Sequence, residues 1–224
     1  MNKNARKYVI LICMLLLIPL TFLLVFSKMD HNFTTLPYYG PEGETSAEEA
    51  VEMNSNEFYQ IPKFELTDEN GNDFHSDSLK DDVWIAAFYS TSSPYISKIT
   101  KRLLGLNFTY NDQADIKLVV FSTEPNFDQP KILRSYLDEV KSSPEKWKFL
   151  TGEESKVADV IQNGFLIDDY KNTSTLWLVD NHGHLRGKFN GNSEEEVKDA
   201  TEAIALLKKE IDIKAYEERK AREN

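Results

Sequence analysis

The sequence predicts an α/β domain, a central mixed sheet flanked by helices, carried behind one N-terminal transmembrane helix. Three observations predict it. Strand-like and helix-like apolar patterns alternate from residue 61 onward. An apolar run from Val9 to Phe26 precedes them, broken only by Thr21 and Pro19. With 41% apolar and 28% charged residues, the 224-residue chain has the balance of one globular domain plus an attached segment.

The apolar run reaches roughly 27 Å as a helix, enough for a bilayer core. Lys3, Arg6 and Lys7 precede it, while Lys28 and then mainly acidic residues follow. That bias places the N-terminus in the cytoplasm and the domain outside. A cleaved signal peptide is the rival reading, but its core is normally shorter and ends in small residues. Here it ends Leu-Leu-Val-Phe-Ser-Lys. The single cysteine, Cys13, lies inside the run after large residues, a poor match to a lipid-attachment site. With no second cysteine the chain forms no internal disulfide. Without thiols after the run, it has no thiolate to act as peroxidase, disulfide exchanger or metal ligand. The net charge of −11 argues against nucleic acid as a partner.

Residues 28–60, with Pro37, Gly40, Pro41 and Gly43, read as a linker. Beyond it, Phe64–Thr67 leads into a turn with Asn70-Gly71 at its centre, the mark of a hairpin. The continuous apolar stretch Val83–Tyr89 suits a central strand covered on both faces. Pro94 opens a helix with Ile96, Ile99, Leu103 and Leu106 on one face. A strand over Ile116–Phe121, a helix after Pro130, a short strand over Trp147–Leu150 and a helix through Val157, Val160 and Ile161 follow. Thr175–Val179 and Leu185–Phe189 flank an Asp-Asn-His-Gly turn. Ser193 and Glu196 form a capping box for a last helix facing inward through Val197, Ala200, Ile204, Leu207 and Ile211. Residues 212–224 are mostly charged and extend this helix or fray. The aromatic residues Trp84, Phe88, Trp147, Phe165 and Trp177 are expected in the core. A strand–helix–strand unit followed by an antiparallel hairpin and a helix is a thioredoxin-like arrangement.

Several segments resemble the SCO/SenC family, thioredoxin-fold, membrane-anchored proteins that help deliver copper to cytochrome c oxidase. They are FELTDENGNDFHSDSLKDDVWIAAFYSTSSP, VVFSTEPNFDQPKILRSYLDEV, WKFLTG at 147–152 and LWLVDNHGHLRGKFNG. The resemblance spans about residues 61–211. It divides the chain into a cytoplasmic N-terminus (1–7), an anchor (8–27), a linker (28–60), the thioredoxin-like domain (61–211) and a charged tail (212–224).

The family's chemistry resides in a C-P-x-x-C-P motif after the central strand and a distant histidine. Here the motif reads Ser93-Pro94-Tyr95-Ile96-Ser97-Lys98, and the histidine position falls on or near Asn172. The resemblance therefore implies a divergent member with a degenerate site, no metal and no cofactor, and a non-redox role through protein partners. Those partners would be an oxidase subunit or assembly factor at the outer membrane face, in oxidase assembly or copper homeostasis. A serine at a helix N-terminus keeps its proton and is a poor ligand for a soft metal. Ser93 before Pro94 instead suits an N-cap worth about 1 kcal/mol. Two other readings stand beside this one. A copper carrier would use His182 and His184, which strand spacing puts on one face. An unrelated enzyme on the same scaffold would use Ser93, which has no visible His and Asp partners. Asp168 and Asp169 are read as a solvated loop, and His31 and His75 as exposed. Thiol oxidoreductase and peroxidase activity are not expected.

Overall fold

The computed structural model describes residues 35–46, 49, 57–141 and 145–223. The expected anchor at 8–27, Cys13 and His31 lie outside them. Among the described residues no helix is long and apolar enough to cross a membrane.

The described strands are β1 (Tyr38–Gly40), β2 (Gly43–Thr45), β3 (Glu65–Thr67), β4 (Asp73–His75), β5 (Val83–Phe88), β6 (Ile116–Phe121), β7 (Trp147–Leu150), β8 (Thr175–Val179) and β9 (Leu185–Asn190). The helices are α1 (Ile96–Thr109), α2 (Pro130–Val140), α3 (Glu154–Asp159) and α4 (Glu194–Glu223). Seven strands form one sheet in the order β2-β1-β9-β8-β5-β6-β7, and β3 and β4 form a separate hairpin. β5, β6 and β7 run parallel, while β8, β9 and β1 alternate in direction. This is the mixed sheet the sequence predicts.

β5 is apolar throughout because both of its faces are covered. Val83, Ile85 and Ala87 face a core built with α1, α2 and α4. Trp84, Ala86 and Phe88 face a second core with the β3–β4 hairpin and residues of α3 and the turn after it. The period-2 alternation of one strand thus assigns neighbouring side chains to different cores. All five expected core aromatics are buried. The β3–β4 hairpin covers the outer edge of β7. Thr67 and Thr151 exchange two backbone bonds of 2.8 Å, and the buried Glu69 carboxylate accepts the Phe149 N–H at 3.3 Å.

Several elements differ from the sequence reading. Within the expected linker, Tyr38–Gly40 and Gly43–Thr45 form a hairpin that joins the sheet through Tyr39 and Leu185. α1 begins at Ile96, two residues after Pro94. The capping box is formed by half. Ser193 Oγ accepts the Glu196 N–H at 3.2 Å, but the Glu196 carboxylate takes the Asn190 N–H at 2.7 Å in place of that of Ser193. The charged tail takes the first of its two expected forms: α4 continues unbroken to Glu223.

One ionic cluster ties distant segments together. Arg186, 2% exposed, places its guanidinium 2.9 Å from the Glu210 carboxylate and 3.4 Å from that of Asp180. It also donates to the carbonyls of Pro37 at 3.1 Å and Leu36 at 2.8 Å. Tyr38 lies over the guanidinium at 3.9 Å, and His184 Nδ1 meets Asp180 at 3.0 Å. Burial alone would raise the Asp180 carboxyl, yet His184 and Arg186 outweigh it and hold it below the usual carboxylate range.

Replacement of Arg186 by Met removes the buried cation that two carboxylates share, leaving Asp180 only His184 and Glu210 only Lys214. Equilibrium denaturation should show a loss of about 3–5 kcal/mol. Asp180 contributes to the pH dependence of stability. Its folded pKa is lowered, so its stabilisation is present above about pH 4 and is lost as the pH falls through the folded value. Unfolding free energies measured from pH 6 downward should fall more steeply for the native chain than for Asp180→Asn.

Candidate functional site

Strand direction sorts the loops into two groups. β5 pairs with β6 from Val83 opposite Ile116 to Phe88 opposite Phe121, and with β8 from Ala87 opposite Leu176 to Trp84 opposite Val179. The loops after β5, β6 and β7 and the segment before β8 therefore share one end of the sheet. Ser93 and Asn172 both lie at that end. The Asp180–His184 turn lies at the other, roughly 17 Å away along a six-residue strand.

Beneath the Ser93 loop sits Asp128, fully buried. Its two carboxylate oxygens accept the Thr91 N–H at 3.2 and 3.3 Å, and it also takes the Thr91 and Ser122 hydroxyls, the latter at 2.5 Å. The Asp128 N–H in turn donates to the Glu124 carbonyl at 2.9 Å. This carboxylate pins the loop after β5 to the loop after β6. Sequence reasoning passed over Asp128, because an aspartate two residues before a helix-opening proline reads as ordinary turn chemistry.

Above Asp128 the chain forms a hollow of about 410 Å³, to which Ser92, Glu124, Phe127, Glu154 and Lys171 contribute. Ser92 Oγ donates to the Glu124 carboxylate, and Ser92 and Ser90 hydroxyls lie 2.9 Å apart. The bonds from Ser92 and Ser90, with the nearby Lys171 charge, lower the Glu124 pKa against a small burial effect. The Lys171 ammonium bonds Glu154 at 3.0 Å, and Asn126 holds the other oxygen of Glu154 at 2.8 Å. That contact raises the pKa of Lys171 and lowers that of Glu154.

None of the three expected positions lines this hollow, although the chain neighbours of two of them do. Ser92 comes from the Ser93 loop and Lys171 from the 3₁₀ turn Tyr170–Asn172. Ser93 is half-buried, and its Oγ accepts the Tyr95 N–H at 3.3 Å. Its carbonyl accepts the Ile96 N–H at 3.0 Å. Ser93 thus satisfies an N–H ahead of α1, while Tyr95 occupies the cap position itself. Ser97 is exposed in the first turn of α1 and is not part of the hollow's lining. Asn172 is exposed, its amide 3.1 Å from both oxygens of Asp169. Asp168 and Asp169 are exposed, as is His75.

His182 lies in the expected Asp-Asn-His-Gly turn, so it and His184 do not form the strand pair that the copper-carrier alternative needs. Gly183, at φ 85°, turns the chain between them. His184 is buried against Asp180, while His182 is exposed in the turn, with ring centres 6.0 Å apart. Among the described residues no three His, Cys, Asp or Glu side chains group as a metal site.

Comparison with known proteins agrees with this architecture. The family model described as SCO1/SenC matches residues 52–208, well over half of the chain. A SCO1 protein homolog of Bacillus subtilis is 25% identical across 59% of this chain and 75% of its own length. A SCO2-like protein of Rickettsia prowazekii is 32% identical across 56% of this chain and 67% of its own. Among solved structures, a SCO1/SenC family lipoprotein from Bacillus anthracis superposes with a TM-score of 0.60 at 21% identity, covering 66% of this chain and 95% of that one. Arabidopsis thaliana ScoI, solved with copper bound, gives 0.57 at 18% identity, covering 68% and 99%. At such identities the structural likeness establishes a shared thioredoxin-like fold. Together with the family match, it shows that this chain belongs to the SCO1/SenC family.

Proposed function

We propose that this chain is a membrane-anchored SCO1/SenC protein that acts by binding protein partners in respiratory oxidase assembly or copper homeostasis, without holding copper or passing electrons through thiols. Relatives of its fold point to the setting. BsSco, in which a disulfide switch was identified, is a member of the Sco family of cytochrome c oxidase assembly proteins, and the Arabidopsis and yeast proteins were solved with copper bound. The partner is then an oxidase subunit or an assembly factor on the outer side of the membrane. The apolar run at 8–27 serves as the anchor, with the N-terminus in the cytoplasm and the domain outside it.

One observation carries the reading. Where the resemblance places two cysteines this chain has Ser93 and Ser97, and where it places a histidine, on or near Asn172, the chain has no histidine. Protonated hydroxyls and a carboxamide offer no thiolate and no imidazole, so they do not suit Cu(I). Two of the three are also engaged elsewhere, Ser93 with the Tyr95 N–H and Asn172 with Asp169. Across the hollow the cation is the Lys171 ammonium, paired with Glu154. The copper-carrier reading based on His182 and His184 loses support from their placement at the other end of the sheet, with His184 bonded to Asp180.

Copper binding tests the reading. The full chain carrying Cys13→Ser, purified in detergent, should show no stoichiometric Cu(I) or Cu(II) complex in competition with a chromogenic chelator. Adding Ser93→Cys, Ser97→Cys and Asn172→His together should create tight binding, because the scaffold then presents the family's donor set. Tight copper binding by the Cys13→Ser chain, abolished by His182→Ala, overturns the proposal. Disulfide reductase and thiol peroxidase assays on the native chain should match a protein-free control. Crosslinking in the native membrane should capture an oxidase subunit or an assembly factor.

A further inference from the structure

From Val83 to Asn111 the chain carries no aspartate or glutamate, although the whole sequence has 37 of them and a net charge of −11. The cations of that stretch, Lys98, Lys101 and Arg102, all lie on α1. Arg102 donates to the Gly191 carbonyl at 3.3 Å. The ammonium groups of Lys98 and Lys101, both exposed, form no salt bridge among the described residues. In an acidic protein, one helix thus presents unmatched positive charge.

α1 turns Ile99, Leu103 and Leu106 into the core. Helical spacing then puts Ser97, Lys101, Leu104 and Phe108 in one row along the opposite side, with Lys98 and Gly105 beside it. Leu104 is half-buried, whereas Phe108 is 82% exposed. A lone surface phenylalanine is ordinary. Gly105 is what sets this face apart. Glycine inside a helix costs stability relative to alanine, and it is favoured where another backbone must come close. A Cβ added at Gly105 would meet nothing within 4 Å, so no neighbour in the domain uses that space. The gap lies next to Leu104 and one turn from both Lys101 and Phe108.

Two copies of this face would set cation against cation, and a lipid surface gains nothing from a missing side chain. We propose that the outer face of α1 docks an acidic segment of a partner protein. Its backbone passes over Gly105, its carboxylates meet Lys98 and Lys101, and its apolar side chains cover Phe108. This docking surface rests on the reading that the chain works through protein partners, and adds to it where one binds and with what charge.

Photocrosslinking in the native membrane tests this on the full chain. p-Benzoylphenylalanine replaces Phe108 or, in a second chain, Phe127 at the Ser93 end, and mass spectrometry identifies the crosslinked segment. The probe at Phe108 should capture a partner segment of net negative charge. Lys98→Glu with Lys101→Glu should cut the yield roughly tenfold or more, while Lys98→Arg with Lys101→Arg keeps it. Gly105→Leu should abolish capture yet raise the midpoint of thermal unfolding, since leucine favours the helix and enters open space. A lipid adduct, a second copy of this chain or a segment without net negative charge overturns the proposal. So does a yield indifferent to charge reversal or to Gly105→Leu, or a midpoint lowered by Gly105→Leu. Capture from Phe127 but not from Phe108 overturns it and leaves the partner reading standing, whereas no capture from either position overturns both.

Discussion

A single buried cation organises the side of the domain where chain ends and hairpin meet. Moving an ion of this size out of water costs several kcal/mol unless its surroundings restore what water supplied. Arg186 recovers it from two carboxylates, two backbone carbonyls and the face of Tyr38. Those groups come from segment 36–38, from the turn after β8 and from α4. None of these segments can shift far without leaving a charge unpaired in a low-dielectric interior, so the cluster specifies their arrangement as well as holding it. Phe58, stacked on Tyr38 at 3.7 Å, brings the strand-entry segment into the same assembly.

The other end of the sheet is organised by an anion. Asp128 gathers the two loops that follow the parallel strands, and hydroxyl groups and one ammonium–carboxylate pair fill the space above it. The scaffold thus keeps a shaped, well-bonded loop cluster at this end of the sheet, built from hydroxyl, carboxylate, amide and ammonium groups. A surface of that kind can still be recognised by shape. Phe127, half exposed on the hollow, and Tyr95, exposed just before α1, offer apolar contact beside the polar groups.

The parts of this fold that a sequence shows directly are those made by local rules. The apolar run of β5, the Asn-Gly hairpin between β3 and β4, and the strands at 116–121 and 147–150 each announce themselves within a few residues. β1 and β2 do not. Three residues each, with glycines at Gly40 and Gly43, they depend on pairing with Leu185, far along the chain. The Asp-Asn-His-Gly turn was legible by the same local rules, and its left-handed Gly183 cancels the alternation that a histidine pair on one strand face would need. At the site, Ser93, Ser97 and Asn172 were singled out only through family resemblance. The role of Asp128 was not legible at all, because it depends on loops 37 residues apart meeting.

Both borders of the large sheet bear on how a partner can attach. One is covered by the β3–β4 hairpin, whose Glu69 and Thr67 already occupy the outward-facing amide groups of β7. The other is β2, three residues long and opened by Gly43 at φ 115°. Neither offers a long row of free amides and carbonyls, so a visiting chain gains little by adding itself as an extra strand. Recognition is left to side chains, where substitution can retune a partner's choice without disturbing the sheet.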